Sequence, residues 1–390
     1  MSEFVVLLGA RLMGGSYLQE IHRAGMKAIV VDERDQIDRW KGRWDLAVTI
    51  AEDTPEAWLA GALEAAASVT VAGVIAYADE QVIAAAVVAE QLGLPGPGLF
   101  AAMASRDKSV IRSVNAFAGI PQPRALTAPF EGLDDLGGRD TAVVVQKVLS
   151  SAGSEGVRLV PKNEAPLPSN DTIILEEYVR GEYFSSEIFV VEGEIVFANH
   201  TSKTSGGPPE FVDLAHLVGV SVPVSVATAA AAMLDKLVDT FRIGSGIAHI
   251  EWIAVAEGRV AVIEFAVRTP GDFLMYGIER AHGFNSFEAV VQIALGRRPH
   301  PARHPYGRVA VSFFPVVLGD AGAARDLLES RWSGDDLFIG YWRDESSNPV
   351  LVSSDDRNHH VLLVAADQNA ACRLAAEAQD ALSELEGSCR

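Results

Sequence analysis

Glu251 and Glu264 are the two residues whose types and spacing point most directly to chemistry. They lie in two apolar runs, Ile247–Val255 and Val260–Ala266, which flank the dipeptide Glu257-Gly258. A glycine-containing dipeptide between two such runs predicts a two-residue hairpin turn. Counting cross-strand pairs outward from that turn places Glu251 directly opposite Glu264.

Both faces of this hairpin are largely apolar, so we expect the two carboxylates to be buried. The glutamate face is predicted to carry Ile253, Val255, Val260 and Val262, and the other face Trp252, Ile263 and Phe265. Facing like charges in such surroundings are costly unless a cation or a shared proton compensates. Oxygen ligands favour Mg²⁺ or Mn²⁺, and Mg²⁺ commonly binds substrate phosphates as well. The pair therefore predicts a metal site at Glu251 and Glu264 that serves a nucleotide, and an exposed, solvated hairpin is the alternative.

The sequence around these glutamates resembles the metal-binding stretch of the ATP-grasp superfamily. That stretch commonly reads as a glutamate strand followed by Glu-x-Asn-x-Arg, and here it reads His249-Ile250-Glu251 and then Glu264-Phe265-Ala266-Val267-Arg268. Ala266 replaces the asparagine, which removes one oxygen ligand and leaves open whether one or two metal ions bind. A small residue there also occurs in branches resembling L-amino acid ligases. The resemblance covers nearly the whole chain and implies ATP and Mg²⁺ as cofactors, with Mn²⁺ as an alternative ion.

Two lysines and a loop occur in the order that the superfamily shows. The resemblance implies that Lys108, which opens a helix, and Lys147, at the end of a strand, neutralise nucleotide phosphates as point charges. It assigns catalysis to Lys147 and to Arg268, whose guanidinium can fork onto a phosphate or a carboxylate. The small-residue loop 150–157, with Ser154, is expected to cover the phosphates. It is not a Walker A motif, because no Gly-Lys-Ser/Thr follows it.

The segment Leu175–Glu182 looks like the strand that meets adenine in the superfamily. By that resemblance Glu176 and Val179 contact adenine, and Glu182 holds the ribose. Glu187, on the following strand, matches a further acidic position of the nucleotide site, with an exposed strand glutamate as the alternative.

The order of apolar segments predicts an α/β domain followed by an α+β region. Alternating strands and helices over the first hundred residues predict a parallel sheet, and Pro95-Gly96-Pro97-Gly98 marks its end. Shorter strands after Pro121 predict antiparallel pairing. With the resemblance, we expect an ATP-grasp fold with an N-terminal Rossmann-like domain. The predicted parts are that domain at 1–98, a linker helix region at 99–124, a lid at 125–190 and a C-terminal catalytic domain at 191–390.

Composition argues against several classes of partner. The formal net charge of −20 and the pI near 4.8 disfavour nucleic acid, because phosphate binding needs a cationic surface. The apolar stretches are far shorter than the roughly 20 residues of a membrane span, so no membrane segment is predicted. Cys372 and Cys389 alone cannot build a disulfide framework or a cysteine-rich zinc site. We expect a cytoplasmic protein, and the resemblance implies a homodimer.

The resemblance implies a ligase that joins a carboxylate to an amine through an acyl phosphate, with release of ADP and phosphate. Amino acids are the first choice of substrate, and a purine-pathway or other carboxylate is the second. The segment 200–216 is the predicted acceptor-side loop, in which His200 or His216 is the candidate base for the amine. A nucleotide-binding protein without turnover is an alternative, which Ala266 suggests.

An NAD-dependent oxidoreductase is the alternative from another class. Gly9 follows the first predicted strand and Asp32 ends the second, as in dinucleotide-binding domains. However, the segment Gly9–Gly14 lacks the middle glycine of Gly-x-Gly-x-x-Gly. We therefore interpret this domain as a platform for substrate that does not bind NAD.

Overall fold

A computed structural model describes residues 2–128, 130, 136, 142–150, 153, 155–164, 172–206, 211–301, 308–346 and 354–388. Within these ranges the strands form three sheets, of four, eight and four strands. Among the described residues, no helix is both long enough and apolar enough to cross a membrane.

The N-terminal part is a four-stranded parallel sheet of order β3-β2-β1-β4, covered by helices. Its elements are β1 (Glu3–Leu8), α1 (Gly14–Arg23), β2 (Lys27–Asp32), α2 (Arg34–Arg39), β3 (Leu46–Thr49), α3 (Pro55–Ser68), β4 (Thr70–Ala76) and α4 (Val82–Leu92). β1 and β2 are buried over five consecutive residues each, because helices cover both faces of the sheet. This confirms the predicted parallel α/β sheet. The periodicity does not predict α2 and β3, which are only 6 and 4 residues long.

Two helices connect this domain to a small antiparallel sheet of order β5-β8-β6-β7. The elements are α5 (Leu99–Ser105), α6 (Lys108–Ala118), β5 (Ala125–Thr127), β6 (Val143–Val148), β7 (Arg158–Pro161) and β8 (Ile173–Glu177). The carboxylate of Asp107 accepts hydrogen bonds from the amides of Ser109 and Val110 and so caps α6. This cap fixes Lys108 as the first residue of the helix.

The third sheet has eight strands in the order β13-β12-β9-β10-β11-β14-β16-β15, all paired antiparallel. Its strands are β9 (Glu182–Val191), β10 (Glu194–Ser205), β11 (Asp213–Val218), β12 (Gly246–Val255), β13 (Arg259–Ala266), β14 (Val309–Phe313), β15 (Leu337–Trp342) and β16 (His359–Ala365). The helices of this part are α7 (Val224–Phe241), α8 (Leu274–His282), α9 (Ser286–Ala294), α10 (Ala321–Arg331) and α11 (Gln368–Ser388). β9 is hydrogen-bonded into this sheet, although all but its last residue falls in the range 125–190 predicted for the lid.

The hairpin of β12 and β13 confirms the predicted pairing of Glu251 with Glu264, although its geometry differs from the prediction. The turn is a three-residue 3₁₀ turn at Ala256–Gly258, in which Gly258 has a φ of 74°. The pairs next to this turn are therefore displaced by one residue from the predicted register. A register shift between Glu251 and Trp252 then compensates, because the β-bulge inserts one extra residue on β13.

The same bulge reverses the side-chain alternation on β13. Val260 and Val262, predicted to share the glutamate face, are instead buried in the core that contains Trp252. Ile263, predicted to point the other way, lines the cavity with Glu264. The prediction was wrong for these three residues because strict period-two counting does not allow for an inserted residue.

Candidate active site

One cavity of about 660 Å³ joins the three parts of the chain, and its size is typical of small-molecule sites. The N-terminal domain contributes the loop after β1 and the end of β4, including Arg11, Tyr77 and Asp79. The small sheet contributes Lys147 from β6 and Glu176 from β8, and the remaining wall comes mainly from the eight-stranded sheet.

The two glutamates face this cavity but have different partners. Glu251 accepts short hydrogen bonds from the Tyr183 hydroxyl and from the Lys203 ammonium group. Glu264 lies 3.2 Å from the Nζ atom of Lys108. The side chain of Glu251 is 19% exposed and that of Glu264 is 32% exposed. The prediction that both are buried was therefore wrong, because each is only partly buried at the wall of the cavity and Glu264 is the more exposed of the two.

The surroundings of Glu251 hold it as a carboxylate. Burial disfavours its charged form, but Lys203 and His249 more than offset this effect and keep the pKa of Glu251 well below its usual value. Burial also opposes the charge on Lys203, yet Asp213 and Glu251 raise its pKa well above the usual value. Burial and the neighbouring carboxylate raise the pKa of Tyr183, so its hydroxyl remains a donor. We infer that this corner of the cavity contains fixed charges.

Glu187 supports the site from behind the cavity wall. Its side chain is fully buried and accepts hydrogen bonds from Ser185 Oγ at 2.7 Å, Asn199 Nδ2 at 2.5 Å and Thr201 Oγ1 at 3.0 Å. It also contacts His249 Nδ1 at 2.9 Å. Burial acts to raise the pKa of Glu187, but these partners lower it to about 2. Glu187, predicted to contact nucleotide, does not line the cavity itself but contacts His249, which does.

The two predicted phosphate lysines line the cavity on different elements. Lys108 begins α6, whereas Lys147 lies near the end of β6, where its Nζ is 2.8 Å from Oε2 of Glu176. Arg112 Nε donates to the other oxygen of Glu176 at 2.8 Å. Burial opposes ionisation of Glu176, but Arg112 and Lys147 together lower its pKa to about 2. Arg112 Nη2 also donates to the Ile263 carbonyl at 2.6 Å, which links α6 to the bulge of β13.

The remaining nucleotide positions are divided between the cavity and the surface. Glu176 and Val179, for which adenine contacts are predicted, both line the cavity. Glu182 is exposed and is not among the lining residues, whereas its neighbour Tyr183 is. Ser154 lies outside the described residues, although Gly153 from the same loop lines the cavity.

Arg268 connects the hairpin to the N-terminal domain. Its Nε and Nη2 atoms donate to Oδ2 of Asp79 at 2.9 and 2.7 Å, and its Nη1 atom donates to the Thr269 carbonyl at 2.8 Å. Burial disfavours the charge on Asp79, but Arg268 and then Arg106 outweigh it and lower its pKa. These hydrogen bonds hold the guanidinium in a fixed orientation at the wall of the cavity, which Glu264 also lines.

A second charged cluster, not predicted as a group, lies where β10 and β11 meet the loop before α8. His216 Nε2 is 2.8 Å from Oδ2 of Asp272, and Arg357 Nη2 is 2.7 Å from Oδ1 of the same residue. Asp213 lies 2.7 Å from Lys203. Sequence reasoning predicted only His216 of this cluster as a candidate, because Asp272 and Arg357 come from distant segments.

The segment 200–216 was predicted to be an acceptor-side loop, but this was wrong for its two ends. These ends belong to strands β10 and β11. His200 is removed from the cavity, and its Nδ1 contacts Ser186 Oγ at 2.9 Å. His216 lines the cavity. Residues 207–210 of this segment lie outside the described residues.

The N-terminal domain uses its dinucleotide-like residues for its own structure. Asp32 Oδ2 accepts a hydrogen bond from the Ala10 amide at 2.6 Å, which closes the loop after β1 onto β2. The indole of Trp40 donates to the carbonyls of Ala10 at 2.6 Å and Arg11 at 3.0 Å. A Cβ atom on Gly15 would lie 2.4 Å from the Trp40 ring, so the ring covers the start of α1. The start of α1 is thus packed and hydrogen-bonded within the domain.

The donor set at the hairpin fits a hard divalent cation. Glu251 and Glu264 present carboxylate oxygens on neighbouring strands, and the cavity beside them contains lysines suited to phosphate. One imidazole is nearby, since His249 Nε2 lies 3.4 Å from Oε1 of Glu251, but the other nitrogen of that ring contacts Glu187. This set matches magnesium or manganese rather than zinc or copper.

Comparison with known proteins identifies the family. Residues 18–96 match the model of an ATP-grasp N-terminal domain, and residues 154–275 match that of an ATP-grasp domain. No curated protein sequence matches the chain.

Solved structures show the same fold over nearly the whole chain. The L-amino acid ligase from Bacillus licheniformis has a TM-score of 0.77 at 18% identity, and the alignment covers 97% of both chains. Carboxyaminoimidazole ribonucleotide synthase from Aspergillus clavatus, solved with ATP, has a TM-score of 0.77 at 16% identity, covering 98% of this chain and 99% of that one. Phosphoribosylglycinamide synthetase from Anaerococcus prevotii has a TM-score of 0.74 at 14% identity, covering 96% and 97%. The chain has the ATP-grasp fold with its N-terminal domain and belongs to the ATP-grasp superfamily.

Proposed function

We propose that this protein is an ATP-dependent ligase that joins a carboxylate to an amine through an acyl phosphate. The observation that carries the proposal is the convergence of five charged residues on one cavity. These residues are the carboxylate pair Glu251 and Glu264, the lysines Lys108 and Lys147, and Arg268. Such fixed charges suit phosphoryl transfer, in which positioning and charge neutralisation provide most of the catalysis.

The nucleotide is assigned to the part of the cavity between the small sheet and the hairpin. Lys108 and Lys147 neutralise its phosphates, while Glu176 and Val179 lie on the adenine side. The carboxylates of the hairpin hold the divalent ion, which supplies further charge neutralisation when bound. The similarity to a synthase solved with ATP supports this assignment at the level of the fold.

In the first step a substrate carboxylate oxygen attacks the γ-phosphorus, and ADP leaves. The amine then attacks the acyl carbon, loses a proton, and phosphate departs as the amide bond forms. Arg268 is suited to orient the carboxylate or stabilise the acyl phosphate, because Asp79 fixes its guanidinium at the cavity wall. Of the two histidines predicted as the base, His216 remains the candidate, since it lines the cavity and His200 does not.

Amino acids are the substrate class that we favour. The cluster of Asp213, His216, Asp272 and Arg357 places acidic and basic groups side by side at the cavity wall, which suits a zwitterionic ligand. The fold similarity to an L-amino acid ligase agrees with this choice. Other carboxylates, including those of purine-pathway type, are the second class, because the solved structures include such synthetases.

A pairwise substrate screen tests this function. Purified protein with MgATP is incubated with single amino acids and with pairs, and ADP and phosphate release are measured together with product mass. We expect release to require both a carboxylate and an amine and to yield an amide. Phosphate release that depends on neither would contradict the ligase function, while NAD binding would favour an oxidoreductase.

A further inference from the structure

Lys203 is a buried ammonium group inserted between two carboxylates of the cavity. Its side chain is 5% exposed, and it lies on β10 opposite His216 of β11. It forms a short ion pair with Glu251 and a second ion pair with Asp213 at 2.7 Å. Its Nζ atom also lies 4.9 Å from the centre of the Tyr183 ring. These contacts place a permanent positive charge next to the predicted metal ligands.

The two glutamates consequently differ in what they offer an incoming ion. Both oxygens of Glu251 already accept a hydrogen bond, Oε1 from Lys203 and Oε2 from Tyr183. Glu264 has a longer contact, 3.2 Å from Lys108, and its carboxylate is the more exposed of the pair. Glu264 is therefore the more accessible ligand, and Glu251 must share its charge with Lys203.

The hairpin offers no third side-chain oxygen beside the two glutamates. Ala266 pairs with His249 and lines the cavity beside the glutamates, but its methyl group cannot bind an ion. Mg²⁺ requires near-octahedral oxygen coordination, and one ion is satisfied by one or two carboxylates together with phosphates and water. A second ion would have to share the same two carboxylates, and Glu251 is already paired with Lys203.

In the neighbouring cluster around Asp272, basic side chains also pair with the acidic ones. The possible ligand atoms of Asp213, His216 and Asp272 all lie within 4.8 Å of one another. However, Asp272 is held by Arg357 at 2.7 Å and by His216 at 2.8 Å, while Asp213 is held by Lys203. Basic side chains thus occupy the acidic groups on this wall of the cavity.

We propose that Lys203 acts as a built-in cation in place of a second divalent ion, so that the site takes one divalent ion per bound nucleotide. The inference rests on the proposed nucleotide site, but not on the identity of the substrates. It assigns Lys203 a positioning and charge-balancing role, because its ammonium group acts through Glu251 and not on the reacting atoms.

Counting bound ions tests this directly. The protein is dialysed against Mn²⁺ and a non-hydrolysable ATP analogue, and bound manganese and nucleotide are both measured per chain. We expect one Mn²⁺ per bound nucleotide in the unaltered protein. Two Mn²⁺ per nucleotide would overturn the inference and leave the ligase function intact. An absence of retained nucleotide would instead contradict the proposed function on which it rests.

Variants of Lys203 test whether its charge determines the number of bound Mn²⁺ ions. Lys203→Met keeps a long apolar stem but removes the charge, so we expect a second Mn²⁺ to bind, with an affinity at least tenfold higher than in the unaltered protein. Lys203→Arg retains the charge and should still bind one Mn²⁺ per nucleotide. Lys236→Met, at a surface lysine that contacts the Gly119 carbonyl at 3.1 Å, is the matched control and should not change the count. A Lys203→Met protein that still binds one ion with unchanged affinity would overturn the inference. If circular dichroism shows that this variant is unfolded, the counts for the unaltered protein and Lys203→Arg decide.

Discussion

The loop after β1 and the β12–β13 hairpin both resemble parts of nucleotide-binding proteins, but they use their polar groups in opposite ways. In the loop, Asp32 accepts from the Ala10 amide and Trp40 donates to the Ala10 carbonyl, so the polar groups bind the protein itself. In the hairpin, Glu251 and Glu264 remain directed at a cavity. An acidic residue at a strand end therefore indicates a ligand only if the neighbouring backbone does not already satisfy it.

The two regions also differ in their counter-charges. Ion pairs from other strands and helices surround the hairpin carboxylates, with Lys203 at Glu251 and Lys108 at Glu264. Burial raises the pKa of Asp32, and its main compensation is hydrogen bonding by backbone amides. Fixed cations of this kind suit a site that receives phosphates and a divalent ion, whereas backbone amides suit a structural turn.

The largest expected effect is at the hairpin. Glu264→Gln preserves shape but removes a metal-binding charge, so we expect kcat/KM to fall by about 1,000-fold, with loss of metal-dependent nucleotide affinity. Ligase turnover and calorimetric titration with MgATP measure both effects. Glu194→Gln, at a glutamate 62% exposed on the surface, is the control and should have no effect. Full activity of Glu264→Gln would show that the carboxylate pair is not the metal site.

The next effect is at β6. Lys147→Met removes an ammonium group that lines the cavity, and we expect turnover to fall by about 100-fold because phosphate charge is less well neutralised. Steady-state kinetics over a range of ATP concentrations measure the loss. Arg112 still neutralises Glu176, so the fold should be retained. Unchanged kinetics would remove Lys147 from the proposed nucleotide site.

A smaller effect, on stability alone, is expected in the N-terminal domain. Asp32→Asn turns an amide group toward a backbone donor at Ala10 or Glu33, which should reduce the free energy of unfolding by about 2 kcal/mol. Urea denaturation gives this value, and nucleotide titration should show unchanged affinity. The comparison between the two regions would fail if Asp32→Asn weakened nucleotide binding while leaving stability unaltered.

The smallest effect is expected at Trp40. Trp40→Phe loses the indole donor to the carbonyls of Ala10 and Arg11 but keeps an aromatic ring over α1, so we expect a loss of about 1 kcal/mol. Thermal unfolding measures the change. NAD should not bind to either protein, and an NAD complex of the variant would show that only the indole keeps a functional dinucleotide site closed.

The sequence predicted the elements and the carboxylate pair because both depend on local patterns. The parallel sheet of the N-terminal domain forms as predicted from its alternating segments, and Glu251 pairs with Glu264. The bulge could not be predicted, since an apolar strand with one inserted residue has no distinct composition. The displaced turn and the bulge shift the register in opposite directions, so the predicted pairing of Glu251 with Glu264 is retained. The faces predicted for Val262 and Ile263 are not retained.

The partners of the pair were beyond sequence reasoning for a different reason. Tyr183 and Lys203 reach Glu251 because β9 lies beside β12 and β10 lies beside β9. That strand order is set by tertiary packing, and no spacing along the chain encodes it. For the same reason, sequence alone could not show whether Glu187 contacts nucleotide, as predicted, or supports His249.

The most direct test of carboxylate activation follows one oxygen atom. A carboxylate substrate found in the pairwise screen is labelled with ¹⁸O in both oxygens, and the phosphate released during amide formation is analysed by mass spectrometry. An acyl phosphate predicts one ¹⁸O atom in each phosphate released, because the oxygen that attacks the γ-phosphorus leaves with it. Phosphate without ¹⁸O, formed at the same rate as the amide, would contradict the account.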